Sequence, residues 1–444
     1  MFSILNRMQS LRTPSIRRVV CTRKFSVSSR RQEIRDINFL PARLIPRYQE
    51  SNENNDLLSI QWPAPPRNIF VVKKDCAPEV TQSLVEFISH TASTYPSIGI
   101  ILEPKVAEEI HSSLPFPVYS APLDRLPCAL HKKVDLSVTL GGDGTILHAS
   151  SLFATCVNVP PMLSFSMGTL GFLGEWKFSE YKSAFREVYM SGAGVGDRAA
   201  VLGAFNSSSA EETSEGATGW SSIRGKSMGM NRGARILMRN RLKVALFNAN
   251  GTSVVADKCS EPSQGIGSEG LYVMNEILIH RGKEPHLAVV DLYVGGRFLT
   301  EAVADGIIIS TPTGSTAYSL SSGGSIVHPL VPAVLLTPIC ARSLSFRPLV
   351  LPASTPITLR LSEKNRGREL EISIDGVNMT QGMSAGMEAR VWNEEMRHGK
   401  NEWQGGVPCV MRRVMGGEPH DGEAHDGWVG GLNGLLKFNY PFGE

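Results

Sequence analysis

Apolar residues in this 444-residue chain fall in short runs separated by polar punctuation. Ile69–Val72, Ile98–Leu102, Val134–Leu140 and Met162–Ser166 read as buried strands, and Pro78 to about Ser93 as an amphipathic helix. Thr145–Phe153 and Lys177–Met190 also carry helical spacing. Short strands alternating with helices predict a parallel α/β domain over residues 67–190, with ligand sites at the carboxyl ends of its strands. After residue 190 the texture changes. Arg235–Asn248, Gly270–His280, Leu287–Val294, Arg297–Val303 and Ile357–Leu361 predict strands with few helices between them. A second, mostly β domain is therefore expected over residues 191–404, enlarged by a serine-, glycine- and methionine-rich insertion at about 207–231.

The flanks differ from both domains. Residues 33–66 are polar and proline-bearing and read as a linker. Residues 405–444 are glycine-heavy but end in the apolar, aromatic run Leu435–Phe442, which predicts a tail packing back on the first domain. Residues 1–32 hold Arg7, Arg12, Arg17, Arg18, Arg23, Lys24, Arg30 and Arg31 and no acid. Such a basic, serine-bearing stretch has the composition of a mitochondrial transit peptide, with a plausible cut after Phe25; a basic tail for RNA or lipid headgroups is the competing reading. Removing that +8 from the formal net charge of +3 leaves the rest of the chain at −5. A chain so balanced is no general nucleic-acid binder, and no apolar run approaches the length of a bilayer span. The seven cysteines are scattered without the paired spacing of a zinc site, and no metal ligand set is expected.

Two motifs carry the chemistry. In Gly141-Gly142-Asp143-Gly144-Thr145, between a strand and a helix, glycines let backbone N–H groups approach a phosphate, and the helix start adds partial positive charge. Asp143 there either accepts a proton or holds magnesium, or it merely caps the helix in a tight turn. The apolar strand Ile307–Ile309 runs into Ser310–Thr316, a turn with five hydroxyl side chains, where a structural turn needs one or two. That density suits a polyol or a phosphate. Asn275-Glu276 form a polar pair within an apolar strand run; they either recognise nucleotide hydroxyls or mark a bulge or edge. Asp305 can hold a ribose or close an Asp-Gly turn. His148, five residues after Asp143, lies near the phosphate loop by sequence.

Taken together these elements resemble the NAD kinase family. They are joined, in order, by Gly168–Leu173, Asp305-Gly306, Thr311–Ser321, Gly323–Pro329 and Leu344–Pro352. The likeness covers most of residues 68–400, and the leader and the tail Trp428–Gly443 look most like the family's fungal mitochondrial NADH kinase branch. The resemblance implies a Rossmann-like domain plus a β-sandwich-like domain with the dinucleotide between them. It implies transfer of the γ-phosphate of ATP, with Mg2+, to the adenosine ribose 2′-hydroxyl of NAD(H), in a mitochondrial-matrix homo-oligomer. Asp143 matches the family's general base. Asp143, Gly144, His148, Asn275, Glu276, His286, Asp305, Thr316, Ala317, Tyr318, Ser319, Leu320 and Ser321 match its dinucleotide-binding positions. Departures fall at Ser166, Val377 and Ala341-Arg342, where many relatives carry other residues. The rivals are a lipid kinase sharing the glycine-aspartate loop, and a non-catalytic dinucleotide sensor.

Overall fold

The computed structural model describes residues 33–50, 57–95, 97–168, 171–174, 176–192, 233–254, 270–398 and 403–412, with Leu432 and Leu436 besides. The leader 1–32, the insertion 207–231 and the tail run Trp428–Gly443, save those two leucines, lie outside the described residues.

Parallel strands covered on both faces need apolar residues at every position, not at alternate ones. Ile69–Val72 and Gly99–Leu102 satisfy this, while Ser137, Thr139, Ser164 and Ser166 place hydroxyls among the apolar residues of Leu136–Gly141 and Met162–Ser166; all of Asn68–Lys73, Gly99–Leu102, Leu136–Gly141 and Met162–Ser166 is buried. They form the parallel heart of an 11-stranded sheet, flanked on one side by Val118–Ser120 and Ile34–Asp36. The helix Pro78–Thr94 starts with proline at its first turn and buries Val80, Leu84, Phe87, Ile88 and Thr91, one stripe at helical spacing. One apolar cluster around Phe87, Phe165 and Phe185 fills one side of the sheet; another around Phe70, Leu130 and Phe153 fills the other.

Two expectations change here. The described parts of residues 33–66 are not linker: Ile34–Asp36, Arg47–Glu50 and Leu58–Gln61 are all strands of this sheet. The carboxylate of Asp135, fully buried, fastens the segment by accepting the N–H groups of Leu44 at 2.6 Å, Arg67 at 2.7 Å and Asn68 at 3.0 Å. Strands this short carry too few residues for alternation to show. The run Arg235–Asn248 is likewise two strands. Arg235–Arg239 belongs to the first sheet, and Leu242–Phe247 opens the second domain. Val407–Met411 of the last segment also lies in the first sheet, parallel to Met162–Ser166 and antiparallel to Arg235–Arg239.

The second domain is two antiparallel sheets facing each other. One runs in the order Leu271–Val273, Leu242–Phe247, Glu388–Asn393, Ile357–Leu361, Ala288–Val294, Arg297–Ala304. The other runs Leu349–Pro352, Ala333–Ile339, Gly306–Ser310, Glu276–His280, Glu369–Ile374, Val377–Asn378. Alternate residues such as Val244, Leu292, Leu359, Ile277, Ile309 and Ile372 meet in one core between them. Among the described residues no helix is long and apolar enough to cross a membrane.

Candidate active site

The strand Leu136–Gly141 delivers the chain to the carboxyl edge of the parallel sheet, where Gly142 precedes the helix Asp143–Ser151. Gly141 is needed for packing: a Cβ there would stand 2.2 Å from the Thr145 hydroxyl. Gly142 and Gly144 differ, because a Cβ at either would meet nothing within 4 Å. They border open space, as a loop that receives a phosphate requires. The Asp143 carboxylate does not cap its own helix by a side-chain bond. It reaches the Gly168–Leu173 loop, accepting the N–H of Phe172 at 2.9 Å on Oδ2 and of Leu173 at 3.1 Å on Oδ1.

Asn275 turns out to lie between two strands of different sheets, Leu271–Val273 and Glu276–His280, and Glu276 opens the second of them. The cause is Asp375. Its carboxylate takes the N–H groups of Met274 at 2.9 Å, Asn275 at 2.7 Å and Glu276 at 3.2 Å, so the ladder breaks there. Asp375 holds a positive φ of 47°, next to Gly376, and is buried. Burial pushes its carboxyl up to about 6, against three N–H donors that favour the ionised form. Glu276 is pushed further, to about 8, first by burial and then by the neighbouring Asp375 charge. Asn275 Oδ1, Glu276 Oε2 and the Ser310 hydroxyl are buried without a hydrogen-bond partner among the described residues. Buried polar atoms left in this state point to a ligand that completes them.

The hydroxyl-rich turn is knitted to this pair. Thr311 donates its N–H to Asn275 O at 2.9 Å and its hydroxyl to Met274 O at 2.7 Å. Gly314 packs so tightly that a Cβ would stand 2.3 Å from Asn275 O. Several of the five hydroxyls already have protein partners: Ser315 spans to the Val327 backbone, and Thr316 bonds Thr313 O at 3.2 Å. Ser319 likewise bonds Thr337 at 2.8 Å. Thr316, Ala317 and Leu320 are half-buried, while Tyr318 and Ser321 are exposed. Arg239, only 1% exposed, joins the two halves: one Nη lies 3.4 Å from Phe172 O, the other 3.4 Å from the Thr313 hydroxyl. The loop that holds Asp143 and the hydroxyl-rich turn packed on Asn275 are thus bridged by one arginine.

Three residues of the sequence-based assignment are placed apart from Asn275-Glu276 or make their described contacts with other residues. His148 sits five residues beyond Asp143, roughly 140° around the helix. It pairs with Glu103 at 2.9 Å, and that hydrogen bond raises its pKa. Asp305 and the exposed His286 lie at the opposite end of the Glu276–His280 strand, because Glu276 pairs with Ser310 and His280 with Gly306. Five strand residues put about 13 Å between the ends. Asp305 there accepts from Arg281 Nε at 2.6 Å. Asp375, Arg239 and Arg241 were not among the residues that the sequence marked for the site; the closely spaced arginines of Arg239-Asn240-Arg241, inside an apolar stretch, were the available signal.

Comparison with known proteins settles what the site belongs to. The ATP-NAD kinase N-terminal domain matches residues 69–193, and the ATP-NAD kinase C-terminal domain residues 274–395. The mitochondrial NADH kinase of Schizosaccharomyces pombe is 37% identical over 419 residues, 93% of this chain and 86% of that protein. The mitochondrial NADH kinase of Saccharomyces cerevisiae is 34% identical over 88% of this chain and 85% of that protein. The chain belongs to the NAD kinase family. The crystal structure of yeast NADH kinase complexed with NADH has the same fold, with a TM-score of 0.70, 35% identity, and coverage of 92% of this chain and 98% of that one. In this NAD kinase family member Asp143 opens a helix of the α/β domain, and Glu276 opens a strand of the β domain.

Proposed function

We propose that this chain transfers the γ-phosphoryl group of ATP to the adenosine ribose 2′-hydroxyl of NADH or NAD, giving NADPH or NADP and ADP, in the mitochondrial matrix. The observation that carries it is the Asp143 carboxylate, held by the Phe172 and Leu173 N–H groups at the mouth of an open glycine loop. A ribose hydroxyl is a poor nucleophile. Asp143 accepts its proton as the oxygen attacks the γ-phosphorus and the bond to ADP breaks, a contribution of about 10²–10⁴-fold. Positioning and neutralisation of the triphosphate supply the rest. Magnesium enters with the nucleotide as part of the substrate. Among the described residues no group of three or more His, Cys, Asp or Glu side chains is placed to hold a metal.

The orphaned Asn275 Oδ1 and Glu276 Oε2 fit the hydroxyls and amide of a dinucleotide. NADH is the acceptor we favour, since the relatives matched over most of the chain are named NADH kinases. The basic leader and the mitochondrial names of those relatives support the compartment. A homo-oligomer belongs to the same reading. The edge strands Arg297–Ala304 and Leu349–Pro352 expose Phe298, Leu299 and Val350, apolar surface that a second copy would cover. The test is an assay of the purified chain with magnesium-ATP and either NADH or NAD. Formation of NADPH faster than NADP supports the reading, equal rates make it a general NAD kinase, and no product with either overturns it in favour of a sensor.

A further inference from the structure

We propose that the buried ion pair Arg241–Glu394 is an interdomain latch that fixes the distance between Asp143 and the Asn275-Glu276 turn, and that both are positioning residues for phosphoryl transfer. This rests on those residues forming the two walls of the active cleft. The side chains of Arg241 and Glu394 are 1% and 3% exposed and doubly bonded, Nε to Oε2 at 2.8 Å and Nη2 to Oε1 at 2.5 Å. The guanidinium also donates to three carbonyls: Cys156 at 3.0 Å, Val157 at 3.1 Å and Phe153 at 3.4 Å. These belong to the turn that ends the helix beginning at Asp143. A cation there is favoured by the helix dipole and grips the helix from its far end.

The other partners belong to the second domain. The guanidinium carbon lies 4.1 Å from the centroid of the Tyr272 ring, and Tyr272 N–H donates to Ala154 O at 2.7 Å in the same turn. Tyr272 stands three residues before Asn275. Glu394 accepts the N–H of Gly406 at 2.8 Å, just where the chain re-enters the first sheet, and gives its own N–H to Arg241 O at 2.8 Å. Among the described residues, the passages between the two domains at Asn240-Arg241 and at Glu394 and Gly406 therefore close on one guanidinium.

A buried ion pair contributes little net stability compared with apolar residues of the same volume. What it does supply is direction: the planar fork satisfies one carboxylate and three carbonyls in a single orientation, which a lysine cannot. In-line phosphoryl transfer depends on such placement, since a misplacement of about 1 Å costs about 10²-fold.

The test compares the parent chain with the double variant Arg241→Met/Glu394→Leu and with Arg241→Lys. Three quantities are read: the melting temperature, the number of competent sites by NADH fluorescence titration, and kcat per competent site with KM for each substrate. We expect folded variants with near-full site occupancy, each KM within about threefold of the parent, and kcat per site down at least tenfold. A merely structural role would lower the number of sites and leave kcat per site unchanged, which overturns the latch. Should the double variant not melt cooperatively, Arg241→Lys decides alone, and a kcat per site within twofold of the parent overturns it. Asp143→Asn is assayed alongside; turnover surviving in that variant would mean that the assignment of the cleft, not the latch, has failed.

Discussion

Gly171 and Asp143 touch without a side chain between them: a Cβ at position 171 would stand 2.0 Å from Asp143 Oδ1 and 2.7 Å from Oδ2. The absence of a Cβ is what lets the loop amides of Phe172 and Leu173 close on the carboxylate. Gly171→Ala therefore has to displace the carboxylate rather than a flexible side-chain end. We expect the variant to melt within a few degrees of the parent and to lose at least tenfold in kcat, with KM for the dinucleotide little changed. Steady-state kinetics beside a thermal melt would check this, and unchanged kcat would show that the Asp143 rotamer is irrelevant.

Asp143→Asn removes the proton acceptor while keeping one oxygen for the loop amides. Turnover should fall by about 10²–10⁴-fold, the usual worth of a general base, and NADH binding should remain within a few-fold of the parent. Equilibrium binding and single-turnover phosphoryl transfer separate the two. A variant that still turns over at the parental rate would remove Asp143 from the chemistry.

His148→Ala tests a residue whose family-based role the geometry does not support. Its ring pairs with Glu103 while its side chain remains 48% exposed. A pair this open contributes about 0–1 kcal/mol. Activity and KM should stay within about twofold of the parent, with a small loss of melting temperature. A rise of tenfold or more in the dinucleotide KM would return His148 to the binding site.

The parts of the fold that the sequence revealed are those where one physical signal dominates. Burial on both sheet faces made Ile69–Val72 readable as a continuous apolar run, Leu136–Gly141 and Met162–Ser166 were readable from apolar residues interleaved with small hydroxyl ones, and the stripe from Val80 to Thr91 made the helix readable. The glycine loop and the hydroxyl-rich turn were equally plain, because their composition departs from what a turn needs. What stayed hidden was set by partners distant in sequence. The break at Met274-Asn275 is made by Asp375, about a hundred residues on. The change of sheet between Arg239 and Leu242 is fixed by Glu394 and by the carbonyls of 153–157. For His148 the structure shows a pairing with Glu103, which proximity in sequence does not convey.

Glu276 and Asp375 make stability depend on pH in a defined direction. Burial raises Glu276 from its ordinary 4.5 to about 8, with the Asp375 charge adding to the effect. Between those values the folded chain holds more protons than the unfolded chain, so stability falls as pH rises. The contribution is fully present below about 4.5 and is lost as pH passes through about 8. Asp375, raised from 3.8 to about 6, acts in the same sense over a lower window. Glu276→Gln keeps the shape and cannot ionise. The melting temperature of the parent minus that of Glu276→Gln should therefore fall steadily from about pH 5 to about pH 8, measured without nucleotide. A difference that stays flat, or rises, over that range would show that Glu276 is ionised in the folded chain throughout and that its orphaned oxygen meets a cation or donor.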